Sequence, residues 1–362
     1  MTRLHDLYRE QGQSPWLDNL RRGWLSSGEL QGWIDRGVRG ITSNPSIFQK
    51  AMSDTSDYDI QLGELKSAGM SILDSYWELV TSDISAALDL LAPVYAESSG
   101  IDGYVSVEVD PSLATDTEGT TTAARDLHNQ IDKPNLLVKI PATAEGIPSI
   151  RQMISEGRSV NVTLIFSLQR YEQVMEAYIS GLEACEGDLS GVASVASFFI
   201  SRTETEVDNR LGAIGTPEAL ELQGMGAVAQ GRVAYELFRS TFSGPRWDAL
   251  VERGARVQRP LWASTSTKNP AYPDTLYVDA LIGPDTVNTI PDATLEAFEN
   301  HGMVTRTIDS DAAGANETLE ALTRAGIDLE DVATQLEAEG VAAFIKSFDD
   351  LLVTLGEKAS TL

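Results

Sequence analysis

Short runs that alternate apolar and polar residues recur along this chain, separated by longer stretches with an apolar residue every three to four positions. The first pattern has the two-residue period of a strand, the second that of an amphipathic helix. Strand-like runs fall at 16–19, 40–44, 103–110, 135–142, 160–166, 192–200, 260–264 and 286–290. Eight strands with helices between them predict parallel βα units. The count favours a closed (β/α)8 barrel of the TIM type over a doubly wound sheet.

The helical stretches are equally explicit. Residues 168–186 present Tyr171, Val174, Met175, Tyr178 and Leu182 on one face, and residues 71–96 present Leu73, Trp77, Val80, Ile84, Leu88 and Leu91. A third helix is expected over 217–242, with Thr216 as N-cap, Pro217 at its first position and Ser243-Gly244-Pro245 closing it. The span 201–259 is too long for one barrel helix and predicts an added helical insertion. From about residue 309 the chain is acidic and helical to about 356, and its last apolar stripe covers 342–355. No repeat or Pro/Gly/Ser linker interrupts the pattern, so a single domain over 1–362 is expected.

A barrel strand turns one face to its helices and one inward. In the third strand Val105, Val107 and Val109 share one face, and Ser106 and Glu108 the other. In the fifth, Val160, Val162, Leu164 and Phe166 oppose Asn161 and Thr163. Giving the apolar faces to the helices leaves Thr42, Asn44, Glu108, Lys139, Asn161 and Thr163 pointing inward, mostly near the strands' C-terminal ends. Barrels of this kind place their chemistry there.

Lys139 stands out among these. It closes the apolar run Leu136-Leu137-Val138-Lys139 just before Pro141. Burying an ammonium costs several kcal/mol or drives its pKa down from about 10.4. A neutral buried amine is a carbonyl nucleophile of the Schiff-base type.

Composition narrows the field. Acidic residues outnumber basic ones 54 to 27, a net charge of −27, which argues against nucleic acid and anionic membranes as partners. The single Cys185 precludes an intrachain disulfide and fits a reducing compartment. The N-terminus lacks a signal-peptide core, and no apolar run is expected to approach the ~18 residues of a membrane span, so cytoplasmic residence is expected. Three scattered histidines (His5, His128, His301) offer neither a metal cluster nor a Ser-His-Asp triad. With no glycine-rich dinucleotide loop either, neither metal nor organic cofactor is expected.

Several segments together resemble the transaldolase family. Gly40-Ile41-Thr42-Ser43-Asn44-Pro45-Ser46 is similar to one family signature, and 135–146, around Lys139, to the other. Val107-Glu108-Val109-Asp110-Pro111, Asn161-Val162-Thr163-Leu164-Ile165-Phe166-Ser167, Ala196–Arg202 and Ala263–Asn269 follow in the family's order. The resemblance spans roughly 16–291, and the length and helical insertions look most like the subfamily of actinobacteria and cyanobacteria. It implies a (β/α) barrel that transfers a dihydroxyacetone unit between sugar phosphates in the pentose phosphate pathway. Donors would be sedoheptulose 7-phosphate or fructose 6-phosphate, and acceptors glyceraldehyde 3-phosphate or erythrose 4-phosphate.

Residue by residue, the resemblance makes Lys139 the Schiff-base lysine and Asp18 the base that takes the hydroxyl proton during cleavage. Glu108 becomes the acid/base acting through a water, and Thr163 a holder of that water. Asn44 and Asn161 would bind the dihydroxyacetone hydroxyls, with Ser197, Arg202, Ser264 and Lys268 towards the phosphate. Many relatives carry arginine where this chain has Lys268, and lysine lacks arginine's bidentate fork. Monomer and homodimer both stay open. So do two other readings: a Schiff-base aldolase that releases free dihydroxyacetone, and a silent sugar-phosphate-binding barrel.

Overall fold

The computed structural model, which describes residues 1–53 and 55–362, closes the expected strands into a barrel. In chain order they are β1 (Gln13–Leu17), β2 (Gly40–Thr42), β3 (Tyr104–Glu108), β4 (Leu136–Pro141), β5 (Val160–Ile165), β6 (Ser194–Phe199), β7 (Arg259–Ala263) and β8 (Thr286–Ile290). All neighbours pair in parallel, and β1 against β8 completes the ring, with Gln13 opposite Thr286 and Leu17 opposite Ile290.

The outward residues Val105, Val107, Val138, Ile140, Val160 and Val162 join Ile84, Leu88, Tyr171 and Tyr178 in the shell between strands and helices. Each such fully buried side chain contributes about 1.5–3 kcal/mol relative to an exposed one. Inward residues Leu137, Val195, Leu261 and Val287 pack with Trp16 in a second cluster that fills the barrel.

β1 begins and ends earlier than its apolar residues suggest. Gln13 and Ser14 look like loop residues, yet both are fully buried. Gln13 Nε2 donates to Leu281 O (2.7 Å) and Thr286 Oγ1 (2.9 Å), and Ser14 Oγ donates to Asp102 (2.8 Å). Partners distant in sequence hold both side chains, which no local pattern reveals, although Gln13 Oε1 has no partner among the described residues. The shift leaves Asp18 just beyond the strand, its backbone N–H still bonded to Ile290 O (3.0 Å).

The expected 217–242 helix is two pieces, Pro217–Leu220 and Gly226–Thr241. Glu204, from the helix Ser201–Ile214, inserts its carboxylate at the break. Its oxygens accept from Gly226 N (3.0 Å) and Ala227 N (3.1 Å), which starts the second helix afresh. Burial pushes the Glu204 carboxyl up to about 7, against the opposing pull of these two N–H groups.

β5 breaks its alternation. Leu164 has φ +61°, and the register with β6 shifts between Val162 and Ile165. A positive φ is uncommon for leucine and marks a bulge. Beyond it, Ile165 takes the helix-side position, while Leu164 and Phe166 leave the Val160–Val162 face and pack with Phe199 and Phe344. The expectation that Leu164 and Phe166 continue that face is therefore corrected.

The helix Ile72–Glu97 also corrects the reading of apolar runs, because it is long and apolar enough by composition to cross a membrane. Here it is a core helix. Leu79, Val80, Ile84, Leu88 and Leu91 are fully buried, and its Asp83 meets Arg22 (2.7 Å) and the Tyr58 hydroxyl (2.8 Å). The chain ends in a helix much longer than its last stripe, Leu329–Thr361. Asp328 caps it by accepting from the backbone N–H groups of Glu330 (3.0 Å) and Asp331 (3.1 Å).

Candidate active site

At the C-terminal mouth of the barrel lies a cavity of about 150 Å³. Nine of the residues singled out from sequence line it: Asp18, Thr42, Asn44, Lys139, Thr163, Ser197, Arg202, Ser264 and Lys268. The remaining two, Glu108 and Asn161, are not in its lining.

Lys139 sits opposite Glu108 in the β3–β4 register, so both side chains point the same way. Its Nζ lies 3.2 Å from Glu108 Oε2 and donates to Ser43 O (3.1 Å). Both residues are 5% exposed. Burial raises the pKa of Glu108, opposed by the charge of Lys139. Glu108 Oε2 is close enough for an ion pair but misaligned for a hydrogen bond, and Thr163 Oγ1 also lacks a partner among the described residues. Buried polar atoms are normally satisfied, so each of these two keeps hydrogen-bonding capacity that no described residue uses.

Asp18 comes from the other side of the ring. Thr42 Oγ1 donates to its Oδ1 (2.6 Å), and Thr289 Oγ1 stands 2.6 Å from the Thr42 hydroxyl. Its second oxygen has no bond among the described residues. Burial raises its pKa; the Thr42 hydrogen bond and the charges of Lys139, Arg202 and Lys268 oppose the rise. A carboxylate whose pKa is lifted this way is a better proton acceptor.

Asn44 follows β2 and caps the helix Pro45–Ser53, accepting from Ile47 N (3.0 Å) through Oδ1. Its Nδ2 makes no bond with any described residue, and Asn44 lines the cavity. Asn161 is fully buried, donating to Ser106 Oγ (3.0 Å) and accepting from Ser197 Oγ (2.7 Å). In this geometry it fixes Ser197 from beneath the cavity floor.

The far end is cationic. Arg202 opens the helix after β6 and lies half-buried with its Cζ 5.4 Å from the Phe199 ring centroid and 5.8 Å from that of Phe344. Burial lowers its pKa, yet a guanidinium stays charged. Lys268 is exposed at the rim, donating to Ser266 Oγ (2.7 Å). Its pKa is lowered by burial first, then by the charges of Arg202 and Lys50. Ser264, at φ +56°, shares a 2.8 Å hydroxyl contact with Ser201. Among the described residues no group of His, Cys, Asp and Glu could hold a metal ion.

The wall also includes Ser46, Phe199, Ser266, Thr289 and Phe344, to which sequence reading gave no role. Thr289 was within reach of the alternation in β8, and Ser266 and Phe199 lie inside the quoted motifs. Phe344 carried no signal at all, because it belongs to the terminal helix and only folding brings it to the mouth.

Comparison with known proteins identifies the family. The family model described as transaldolase/fructose-6-phosphate aldolase matches residues 15–355. Among similar proteins named transaldolase, one from Mycolicibacterium smegmatis is 51% identical over 346 residues, covering 94% of this chain and 93% of that one. One from Parafrankia sp. is 50% identical over 352 residues, covering 96% and 95%, and one from Thermobifida fusca 49% over 346 residues, covering 94% of each. With matches of this length, and with a buried lysine, two carboxylates and a cationic end gathered at one barrel mouth, the chain belongs to the transaldolase/fructose-6-phosphate aldolase family, as a transferase with transaldolase activity.

Proposed function

We propose that the chain carries a dihydroxyacetone unit from a ketose phosphate to an aldose phosphate through a Schiff base at Lys139, as a step of the pentose phosphate pathway. Donors are sedoheptulose 7-phosphate or fructose 6-phosphate, and acceptors glyceraldehyde 3-phosphate or erythrose 4-phosphate. The observation that carries this reading is Lys139 Nζ, buried at the cavity floor 3.2 Å from Glu108, with Asp18 in the same cavity.

The deprotonated amine of Lys139 adds to the ketose carbonyl and gives a carbinolamine. Glu108 exchanges protons with it through a water held between Glu108 Oε2 and Thr163 Oγ1, and water leaves to form the iminium. Asp18 takes the proton of the substrate hydroxyl next to the bond that breaks. That bond's electrons flow to the iminium, leaving an enamine on Lys139, and the aldehyde departs. A second aldehyde then adds to the enamine. Asp18 returns its proton, and water releases the new ketose.

Binding groups flank this chemistry. Asn44 Nδ2 and the Ser197 hydroxyl suit the dihydroxyacetone hydroxyls, with Asn161 holding Ser197 in place. Arg202 and Lys268 suit the phosphate by charge-assisted hydrogen bonds, supported by Ser264 and Ser266.

The test is a coupled assay with fructose 6-phosphate and erythrose 4-phosphate. Sedoheptulose 7-phosphate should form, and fructose 6-phosphate alone should yield almost no free dihydroxyacetone. Steady release of dihydroxyacetone without acceptor would make the chain an aldolase instead. No turnover in either format would overturn the reading.

A further inference from the structure

Arg202 differs from most arginines of this protein. Acidic side chains outnumber basic ones 54 to 27, and many arginines are ion-paired. Arg202 is half-buried and makes no hydrogen bond or ion pair with any described residue. What it has is two aromatic rings, Phe199 at 5.4 Å and Phe344 at 5.8 Å. Phe199 lies three residues away in sequence. Phe344 is the long-range partner, brought in by the terminal helix.

That helix is built to come close. Gly340 lies one turn before Phe344 and so on the same face. A Cβ on Gly340 would stand 3.0 Å from Leu164 Cδ2 and 3.6 Å from Arg202 Nη1, so the backbone itself covers the arginine. On the other side of Phe344, Ser347 Oγ is 2.7 Å from Ser46 Oγ, a residue of the cavity wall. Phe344 is buried and lines the cavity.

A carboxylate here would also hold Arg202, but it would neutralise the guanidinium and repel an anionic ligand. An aromatic face attracts the cation within about 6 Å and leaves its N–H edges free. We propose that Phe344 is a positioning residue for substrate phosphate: it fixes the Arg202 guanidinium against the terminal helix without neutralising it. This rests on the reading of Arg202 as the phosphate ligand.

The experiment measures KM and kcat for fructose 6-phosphate and for unphosphorylated fructose, at fixed saturating acceptor. The variants are Phe344→Leu, Phe344→Met, Phe344→Tyr and, as a control, Phe348→Leu. Phe348 is a buried ring of the same helix that packs on Tyr76 (5.1 Å) and is absent from the cavity wall. Phe344→Leu and Phe344→Met should each raise KM for fructose 6-phosphate about 5- to 20-fold, the span of a partly desolvated cation–π contact. Their kcat, and their KM for fructose, should stay near wild type. Phe344→Tyr keeps the aromatic face and should restore the wild-type KM, and Phe348→Leu should lower thermal stability without moving KM. The proposal is overturned if both Phe344 variants leave KM unchanged, if Phe348→Leu raises it as much, or if KM for both donors rises equally. Wild-type enzyme with no preference for fructose 6-phosphate over fructose would instead overturn the phosphate reading of Arg202, and the proposal with it.

Discussion

The two ends of the barrel hold buried carboxylates beside cations, and they treat them in opposite ways. At the N-terminal end Asp102 is fully buried and saturated. Arg39 Nε (2.9 Å) and Arg259 Nη2 (3.1 Å) form ion pairs with it, and Ser14 Oγ (2.8 Å) and Trp16 Nε1 (3.2 Å) donate to it. Burial would raise its pKa, but the two guanidinium charges and these bonds hold it below the ordinary aspartate range. At the C-terminal end Asp18 and Glu108 are left short of partners, and burial raises both. One end uses its charges to join strands. The other leaves a carboxylate oxygen of Glu108 without a hydrogen-bond donor among the described residues.

The signs of the two pH dependences differ accordingly. Asp102, with a depressed folded pKa, contributes stability that is present above about pH 4, its unfolded value, and is lost as pH falls through the folded pKa. Asp18 and Glu108, with raised folded pKa values, cost stability at neutral pH, and that cost fades as pH falls through their folded pKa values.

The sharpest way to break this comparison is to remove one group from each end. Lys139→Met should abolish transfer, to below about one thousandth of the wild-type rate. The variant should still fold and melt cooperatively, with a lowered thermal midpoint because buried Glu108 loses its counter-charge. Steady-state transfer and a thermal melt check both halves. At the other end Asp102→Asn should destabilise by about 3–5 kcal/mol, because it strands Arg39 and Arg259 without their counter-charge. Turnover per folded molecule should survive. Urea unfolding and active-site titration separate the two effects.

Smaller effects sharpen the picture. Arg202→Ala should weaken phosphorylated donors by about 2–5 kcal/mol in kcat/KM and leave unphosphorylated fructose nearly unaffected. Equal losses for both would remove the phosphate role. Smallest is the stability gain from Asp18→Asn. This variant should be slightly more stable than wild type at pH 7, and the gain should disappear below about pH 4, where aspartate is protonated even when unfolded. Urea titrations at the two pH values read this directly. Asp18→Asn should also still form the imine while failing to cleave it.

The asymmetry between the ends also explains what the sequence disclosed. Period-2 alternation found all eight strands, though it set the first about three residues late, and sent Glu108, Lys139 and Thr163 inward, because strand geometry is local. Family motifs added Asp18, which follows a strand that local pattern had misplaced. Gln13 and Ser14 were illegible because their partners, Leu281, Thr286 and Asp102, lie far along the chain. The break before Gly226 was hidden for the same reason, since Glu204 caps a helix it does not belong to. The bulge at Leu164 spoils a clean alternation with a single backbone torsion that side-chain hydropathy does not encode. Phe344 joins the site only through the docking of the terminal helix.

The central claim is that the undersatisfied end works through a covalent bond to Lys139. Borohydride reduction in the presence of fructose 6-phosphate, followed by peptide mass mapping, tests it most directly. The account predicts a reduced dihydroxyacetone adduct on the peptide containing Lys139. An adduct on another lysine, or none while transfer proceeds, would contradict it.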